Sequence, residues 1–296
     1  MEGDNLQEIC AYLLEVANEA GAIILAAHPT SRTTLTKKNT TDIVTETDKD
    51  VESFIRQRVA KRYPACAFVG EETYTAEMAL TDAPTIIVDP IDGTSNFIHG
   101  FPEVCVSIGL IIEKCPVVGV VYNPFREERW YATKSHGAFT VRHGGQVQKL
   151  PLVSTPLQGL RSACIGIEWG SDREGPNFEL NLKVFTTLAR TVATGGNFVN
   201  SLRCTGSAAI TICRVAAGQQ DVFWECGCWA WDVAAAWCVL TEAGGIMVDG
   251  HPGDWDPSIN NRRYLAVRPA SEGQRELVEE FWSILGNERS TYGPSS

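Results

Sequence analysis

Positive charge is scarce in this sequence. Its 25 lysines and arginines face 36 aspartates and glutamates, for a net charge of −11. That imbalance argues against nucleic acid or an anionic membrane as the main partner. Long apolar runs are missing too, since no stretch approaches the roughly 20 residues that span a bilayer. The opening Met1-Glu2-Gly3-Asp4-Asn5 is acidic and polar, unlike a secretion signal. There are no repeats, no low-complexity blocks and no long linker. The 10 cysteines are scattered, with Cys105, Cys213 and Cys238 inside apolar segments. Reduced, buried thiols in a cytoplasmic protein are therefore expected. Cys226-Gly227-Cys228 is the exception that raises a redox or metal role, but the other cysteines lack zinc-site spacing around it.

What is present is an ordinary globular composition, 44% hydrophobic over 296 residues. That length suits one large domain or two subdomains sharing a core. The expectation is a single domain over 1–296, with an antiparallel-sheet half at about 1–153 and an α/β half at about 154–290. Leu6, Ile9, Leu13, Val16, Ala17, Ala20 and Ile24 recur at helical spacing. Residues 30–41 read as a mobile polar loop, and a second helix is expected from about 47 to 63. Strands are expected at 67–69, 85–88, 104–112, 117–122, 130–132 and 138–141, with turns at 114–116 and 135–137. The second half alternates strands at 162–168, 221–224, 246–248 and 264–267 with helices at 177–190, 206–217, 231–242 and 272–285. Residues 291–296 are expected to fray. The mixture predicts an α/β or α+β layered sandwich.

The most informative stretch is Val88-Asp89-Pro90-Ile91-Asp92-Gly93-Thr94-Ser95-Asn96-Phe97. Two carboxylates stand three residues apart at the end of an apolar run. Pro90 stiffens the chain between them, Gly93 permits a sharp turn, and Thr94, Ser95 and Asn96 are candidate helix caps. A rigid elbow of acids attracts hard cations that prefer oxygen, such as Mg²⁺. The free N–H groups of a helix starting behind it suit an anion. Together these read as phosphate chemistry, with bound cations offsetting the acidic net charge. Glu71 and Asp232 repeat the pattern of an acid where an apolar strand meets a loop or helix. Alone, Glu71 also reads as a solvated loop acid and Asp232 as a helix cap. Carboxylates converging from several strand ends would repel without cations, which suggests two metals.

Gly70-Glu71-Glu72, the elbow with His99-Gly100-Phe101-Pro102, and Trp231-Asp232-Val233-Ala234-Ala235 with Glu242-Ala243-Gly244-Gly245 resemble the inositol monophosphatase family. The resemblance spans nearly the whole chain. It implies an αβαβα sandwich, a homodimer, Mg²⁺ dependence and inhibition by lithium. Carried over by residue, it implies one metal on Glu71, Asp89 and the Ile91 carbonyl. A second would be shared by Asp89, Asp92 and Asp232, and a third, weaker one would sit near Glu71 through water. Thr94, hydrogen-bonded to Asp48, would orient or deprotonate the attacking water, although Asp48 alone also reads as a helix cap. Gly93 and Thr94 N–H groups would hold phosphate. Asp92, Ser207, Ala208 and Glu225 would face the inositol ring, and Lys37 would lie on a loop near the metals. Glu225 otherwise reads as a salt-bridge partner and Lys37 as a surface lysine. His99 is rejected as a general base in favour of a bracing role.

The implied activity is Mg²⁺-dependent hydrolysis of myo-inositol monophosphates. Related activities on 3′-phosphoadenosine phosphate or fructose bisphosphate, and a catalytically silent regulatory relative, are the alternatives. The adenosine branch usually places a Lys after the elbow and lacks the His-Gly-Phe-Pro continuation seen here. Silence is disfavoured because Glu71, Asp89, Asp92, Thr94 and Asp232 are all present. Two departures stand out. Ser95 replaces a Thr found in many members, and Trp229 stands where well-known animal members carry a His.

Overall fold

The computed structural model describes residues 5–27, 35–36, 43–44, 46–75, 78 and 80–293. The described elements are α1 (Leu6–Ala26), β1 (Leu35–Thr36), β2 (Ile43–Val44), α2 (Glu46–Arg62), β3 (Ala67–Gly70), β4 (Thr85–Asp92) and α3 (Thr94–His99). Then follow β5 (Cys105–Ile112), β6 (Cys115–Asn123), β7 (Glu128–Thr133), β8 (Gly137–Arg142), β9 (Gln148–Lys149) and β10 (Cys164–Ile167). The chain continues through α4 (Gly175–Ala189), β11 (Ser201–Arg203), α5 (Ala208–Ala216), β12 (Val222–Cys226) and α6 (Ala230–Glu242). It ends with β13 (Ile246–Asp249), β14 (Arg263–Val267) and α7 (Gln274–Leu285).

Two sheets follow from this order. The first runs β3-β4-β5-β6-β7-β8-β9, with β3 parallel to β4 and β4 antiparallel to β5. The second runs β11-β10-β12-β14-β13, with β10 parallel to both β11 and β12. Side-chain alternation assigns the layers. Ile86 and Val88 of β4 pack with Ile9, Leu13, Val51 and Ile55 of α1 and α2. Ile87 points the other way, into a core with α5, α6 and the near face of the second sheet. The far face of that sheet, through Val222, Trp224 and Leu265, packs on α4 and α7. The layers are therefore helix, sheet, helix, sheet, helix, as the family resemblance implies.

Several local expectations are corrected. Leu35–Thr36 pairs antiparallel with Ile43–Val44, so the stretch expected to be all loop contains a strand. The strand expected to stop at Val88 continues to Asp92, and its pairing with β5 shifts register between Asp89 and Asp92. The elbow is thus a bulge within a strand. The turn expected at 114–116 lies at Glu113 and Lys114, both in the left-handed region (φ 52° and 61°), and Cys115 already belongs to β6. β11 has no counterpart in the sequence reading. Residues 291 and 292 are not frayed. The Thr291 N–H donates to Asn177 Oδ1 (2.7 Å) and the Tyr292 hydroxyl to Asp172 Oδ2 (2.8 Å). The statement about apolar runs also changes. α1 has 21 residues and a mean hydropathy of 1.6, long and apolar enough to cross a bilayer on length and composition. Here one face, with Ile9, Leu13, Val16, Ala20 and Ile24, is buried against the first sheet, while Glu15 and Glu19 are exposed.

The close seat of α6 depends on two paired glycines. Gly109 of β5 lies opposite Gly119 of β6. A Cβ on Gly109 would meet Ala234 Cβ at 3.1 Å, and one on Gly119 would run into the Ala235 carbonyl. Both contacts lie in the first turns of α6, which carries Asp232. Bare backbone at these two positions lets the helix lie directly on the sheet and fixes where Asp232 sits. Gly119→Ala is expected to destabilise the fold by about 1–3 kcal/mol through overpacking. An unchanged midpoint in urea denaturation followed by circular dichroism would show that α6 has room to spare.

Candidate active site

Five acids from four places in the chain share one electrostatic neighbourhood. Burial raises the Asp89 carboxyl well above its ordinary range, and the charges of Glu71, Asp92, Asp232 and Asp48 push it further. Asp48 is 1% exposed, Asp89 3% and Asp92 8%. Asp232 is raised by burial and then by the charges of Glu71 and Asp92. Carboxylates crowded in this way repel one another and call for positive charge beside them.

Each acid is positioned by its own local structure. β4 delivers Asp89, whose Oδ1 accepts from the Ile91 N–H at 3.0 Å and so tightens the bulge. Asp92 is held by the start of α5, where its Oδ2 accepts from Ser207 Oγ (2.6 Å) and the Ala209 N–H (2.8 Å). Asp232, in the first turn of α6, accepts from the Trp229 N–H at 2.6 Å, so it is a helix cap as well as a member of the cluster. The turn bearing Glu71 is pinned by Glu52 of α2, which accepts from the Glu72 N–H (2.6 Å) and the Thr73 hydroxyl (2.5 Å).

Gly93 makes the turn that follows. Its φ is 91°, and a Cβ there would lie 2.7 Å from the Glu103 carbonyl. It occupies the N-cap position of α3, so Thr94 is the first helical residue and none of Thr94, Ser95 and Asn96 is the cap. The Thr94 hydroxyl lies 3.2 Å from Asp48 Oδ1 and 3.0 Å from the Ile91 carbonyl. Asn96 serves the scaffold, donating through Nδ2 to the carbonyls of Glu103 (2.8 Å) and Thr205 (2.7 Å). His99 is exposed and bonds the Ser95 carbonyl of its own helix at 2.8 Å.

Of these acids, Glu71 and Asp232 open onto a cavity of 670 Å³ that is also lined by Tyr74, Glu225, Trp229 and Arg262 among others. Burial, then the charges of Glu168 and Asp232, raise the Glu225 carboxyl, while the Cys228 thiol donates to it. Burial pushes the Cys226 thiol up to about 12 and the Cys228 thiol well above its ordinary value, which disfavours the thiolate form of both. Ser207, expected to face a ring, is buried against Asp92 and also caps α5 by accepting from the Ile210 N–H at 3.2 Å. Ala208 begins α5 beside it. Lys37 lies outside the described residues.

The donor set suits a hard cation in kind, being carboxylates and a backbone carbonyl. Their mutual repulsion marks a deficit of positive charge. Among the described residues, however, no three His, Cys, Asp or Glu side chains are already drawn together as a finished cage.

Sequence reasoning missed Glu52, Asn96, Glu168 and Arg262. Glu168 accepts from the Thr205 and Gly206 N–H groups (2.7 and 3.0 Å), shaping the loop into α5. Among these, only Glu52 carried a signal, as an acid at an apolar position of α2. The partners of the others are distant in sequence.

The chain was compared with known proteins. The model of the inositol monophosphatase family matches residues 5–285. Inositol monophosphatase 2 of Saccharomyces cerevisiae is 45% identical over 258 residues, covering 85% of each chain. Inositol monophosphatase 1 of the same yeast is 39% identical, covering 95% of this chain and 97% of its own. Proteins so named are phosphatases, and hence hydrolases. The solved inositol monophosphatase from Anabaena superposes with a TM-score of 0.76 at 26% identity, over 97% of this chain and 99% of that one. With the motifs, the layered fold and these matches in agreement, the chain belongs to the inositol monophosphatase family.

Proposed function

We propose that this protein is a Mg²⁺-dependent phosphomonoesterase acting on myo-inositol monophosphates. The observation that carries this reading is the buried carboxylate cluster around Asp89, with the Thr94–Asp48 contact beside it. Glu71, Asp89 and the Ile91 carbonyl would hold one Mg²⁺ and Asp89, Asp92 and Asp232 a second, with a third and weaker one near Glu71. Bound there, the metals would supply Lewis acidity toward water and phosphate.

The chain's own groups have defined parts. A Thr94 hydroxyl that donates to Asp48 turns its lone pairs toward an attacking water and can accept a proton from it. The Gly93 and Thr94 N–H groups, which have no hydrogen-bond partner among the described residues, stand at the start of α3 and suit phosphate oxygens. Asp92, fixed by α5, and Glu225, at the cavity wall, offer acceptors for ring hydroxyls. Displacement would then proceed by positioning and charge, without a covalent enzyme intermediate. Lithium sensitivity, a homodimer and a cytoplasmic setting belong to the same proposal. Phosphate release from inositol 1-phosphate, measured with and without Mg²⁺, tests it; no release at any Mg²⁺ concentration would overturn it.

Two variants separate the roles. Asp89→Asn is expected to remove most activity while keeping the fold. In cation-free buffer it should melt at or above the wild-type temperature, because one repelling charge is gone. Near-normal turnover of this variant would refute the metal assignment. Thr94→Ala is expected to lower kcat by about 10²–10⁴-fold with little change in KM, as befits a group that handles the proton of water. A raised KM with kcat intact would make Thr94 a substrate contact instead.

A further inference from the structure

One wall of the acidic cavity has a different chemistry. Tyr74, Trp229 and Trp231 cluster there. The two indoles stack with centroids 5.1 Å apart at 15°, and Tyr74 tilts against them at 5.4 and 5.0 Å. Arg262 lies on this cluster, its guanidinium carbon 3.5 Å from the Trp229 ring centroid and 5.0 Å from that of Tyr292. Its Nη2 donates to the Gly227 carbonyl at 2.8 Å and its backbone N–H to the Tyr264 hydroxyl at 3.1 Å. The residue sits in the left-handed region, at φ 64°. The guanidinium is thus fixed before any ligand arrives.

Among the described residues, Arg262 is the one cation lining this cavity, where it faces Glu71, Glu72, Glu225 and Asp232. Among the described residues, no carboxylate lies within ion-pair distance of it. Its buried Nε has no hydrogen-bond partner. A guanidinium held rigidly by stacking and left without a carboxylate is arranged to take an oxyanion. The transferred phosphate has its own place at the Asp89 elbow, so the anion at Arg262 must be another one. Trp229 is covered by Trp231 and by Arg262, which leaves a nucleobase little room to stack on it.

We propose that Arg262 reads a second anionic group, a phosphate or a carboxylate, on the alcohol part of the substrate. The favoured substrates are then cyclitol or polyol phosphates carrying such a group, ahead of neutral polyol phosphates and of nucleotides. This rests on the phosphatase reading above but moves the favoured ester from a myo-inositol monophosphate to one bearing a second anion.

Matched pairs test it in steady-state assays with Mg²⁺. 6-Phosphogluconate against sorbitol 6-phosphate changes one carboxylate for an alcohol. Inositol 1,4-bisphosphate against inositol 1-phosphate adds one phosphate, and adenosine 2′-monophosphate is the nucleotide arm. The wild type is expected to favour the anion-bearing member of at least one pair by about tenfold or more in kcat/KM, chiefly through KM. Preference in one pair alone identifies the anion. Arg262→Gln should bring that ratio toward one, and Arg262→Lys should restore part of it, which a purely structural role would not do. If Arg262→Gln fails to fold, the wild-type ratios and Arg262→Lys decide. Hydrolysis of inositol 1-phosphate and glycerol 2-phosphate with no preference for a second anion overturns this inference and leaves the phosphatase reading standing. A preference for the nucleotide also overturns it. No hydrolysis of any ester removes both.

Discussion

Asp89 is 3% exposed among four other carboxylates, and most of the surrounding structure works to keep it there. Left to themselves, the acids would separate or take up protons. The layered fold prevents separation by drawing each acid from a different support. The first sheet supplies Asp89, α2 supplies Asp48 and, through Glu52, braces Glu71. The start of α5 ties Asp92, and α6 brings Asp232 as the cap of its own first turn. Because these supports belong to different layers, the cluster is a product of the whole sandwich. No single segment could hold it.

Much of this was legible in the sequence, and the reasons differ by residue. Asp89 and Asp92 were conspicuous because carboxylates at the end of an apolar strand demand compensation. Asp232 and Glu71 became readable once their motifs were set beside the elbow. Alternating strands and periodic helices pointed to a mixed layered sandwich, and the layer order came from the family resemblance. The misread features depend on contacts between distant segments. A bulge and a strand end look alike in sequence, so β4 was cut short before Asp89. The paired glycines of β5 and β6 carry no pattern until the register places them under α6. The bond from Ser207 to Asp92, which joins α5 to the elbow, likewise has no sequence signal. Trp229 was noticed only as a departure, because its partner Arg262 lies thirty-odd residues away.

The two sheets divide the work. The first sheet and its outer helices form an apolar block that fixes the elbow. The second sheet contributes Glu225 and, through the loops around it, Arg262 and the aromatic wall. The acidic elbow and Thr94 therefore lie on the first half of the chain, and most of the cavity wall on the second. Substitutions around β12 and β14 can alter what fits the cavity without touching the strand that bears Asp89.

The anchored tail completes the same cavity. Tyr292 lines it, packs against Arg262 and bonds Asp172, while Thr291 is fastened to α4 through Asn177. Loosening Tyr292 would therefore strip Arg262 of one of its two aromatic neighbours and open the ligand wall, so the stability of this segment and the shape of the cavity are one property.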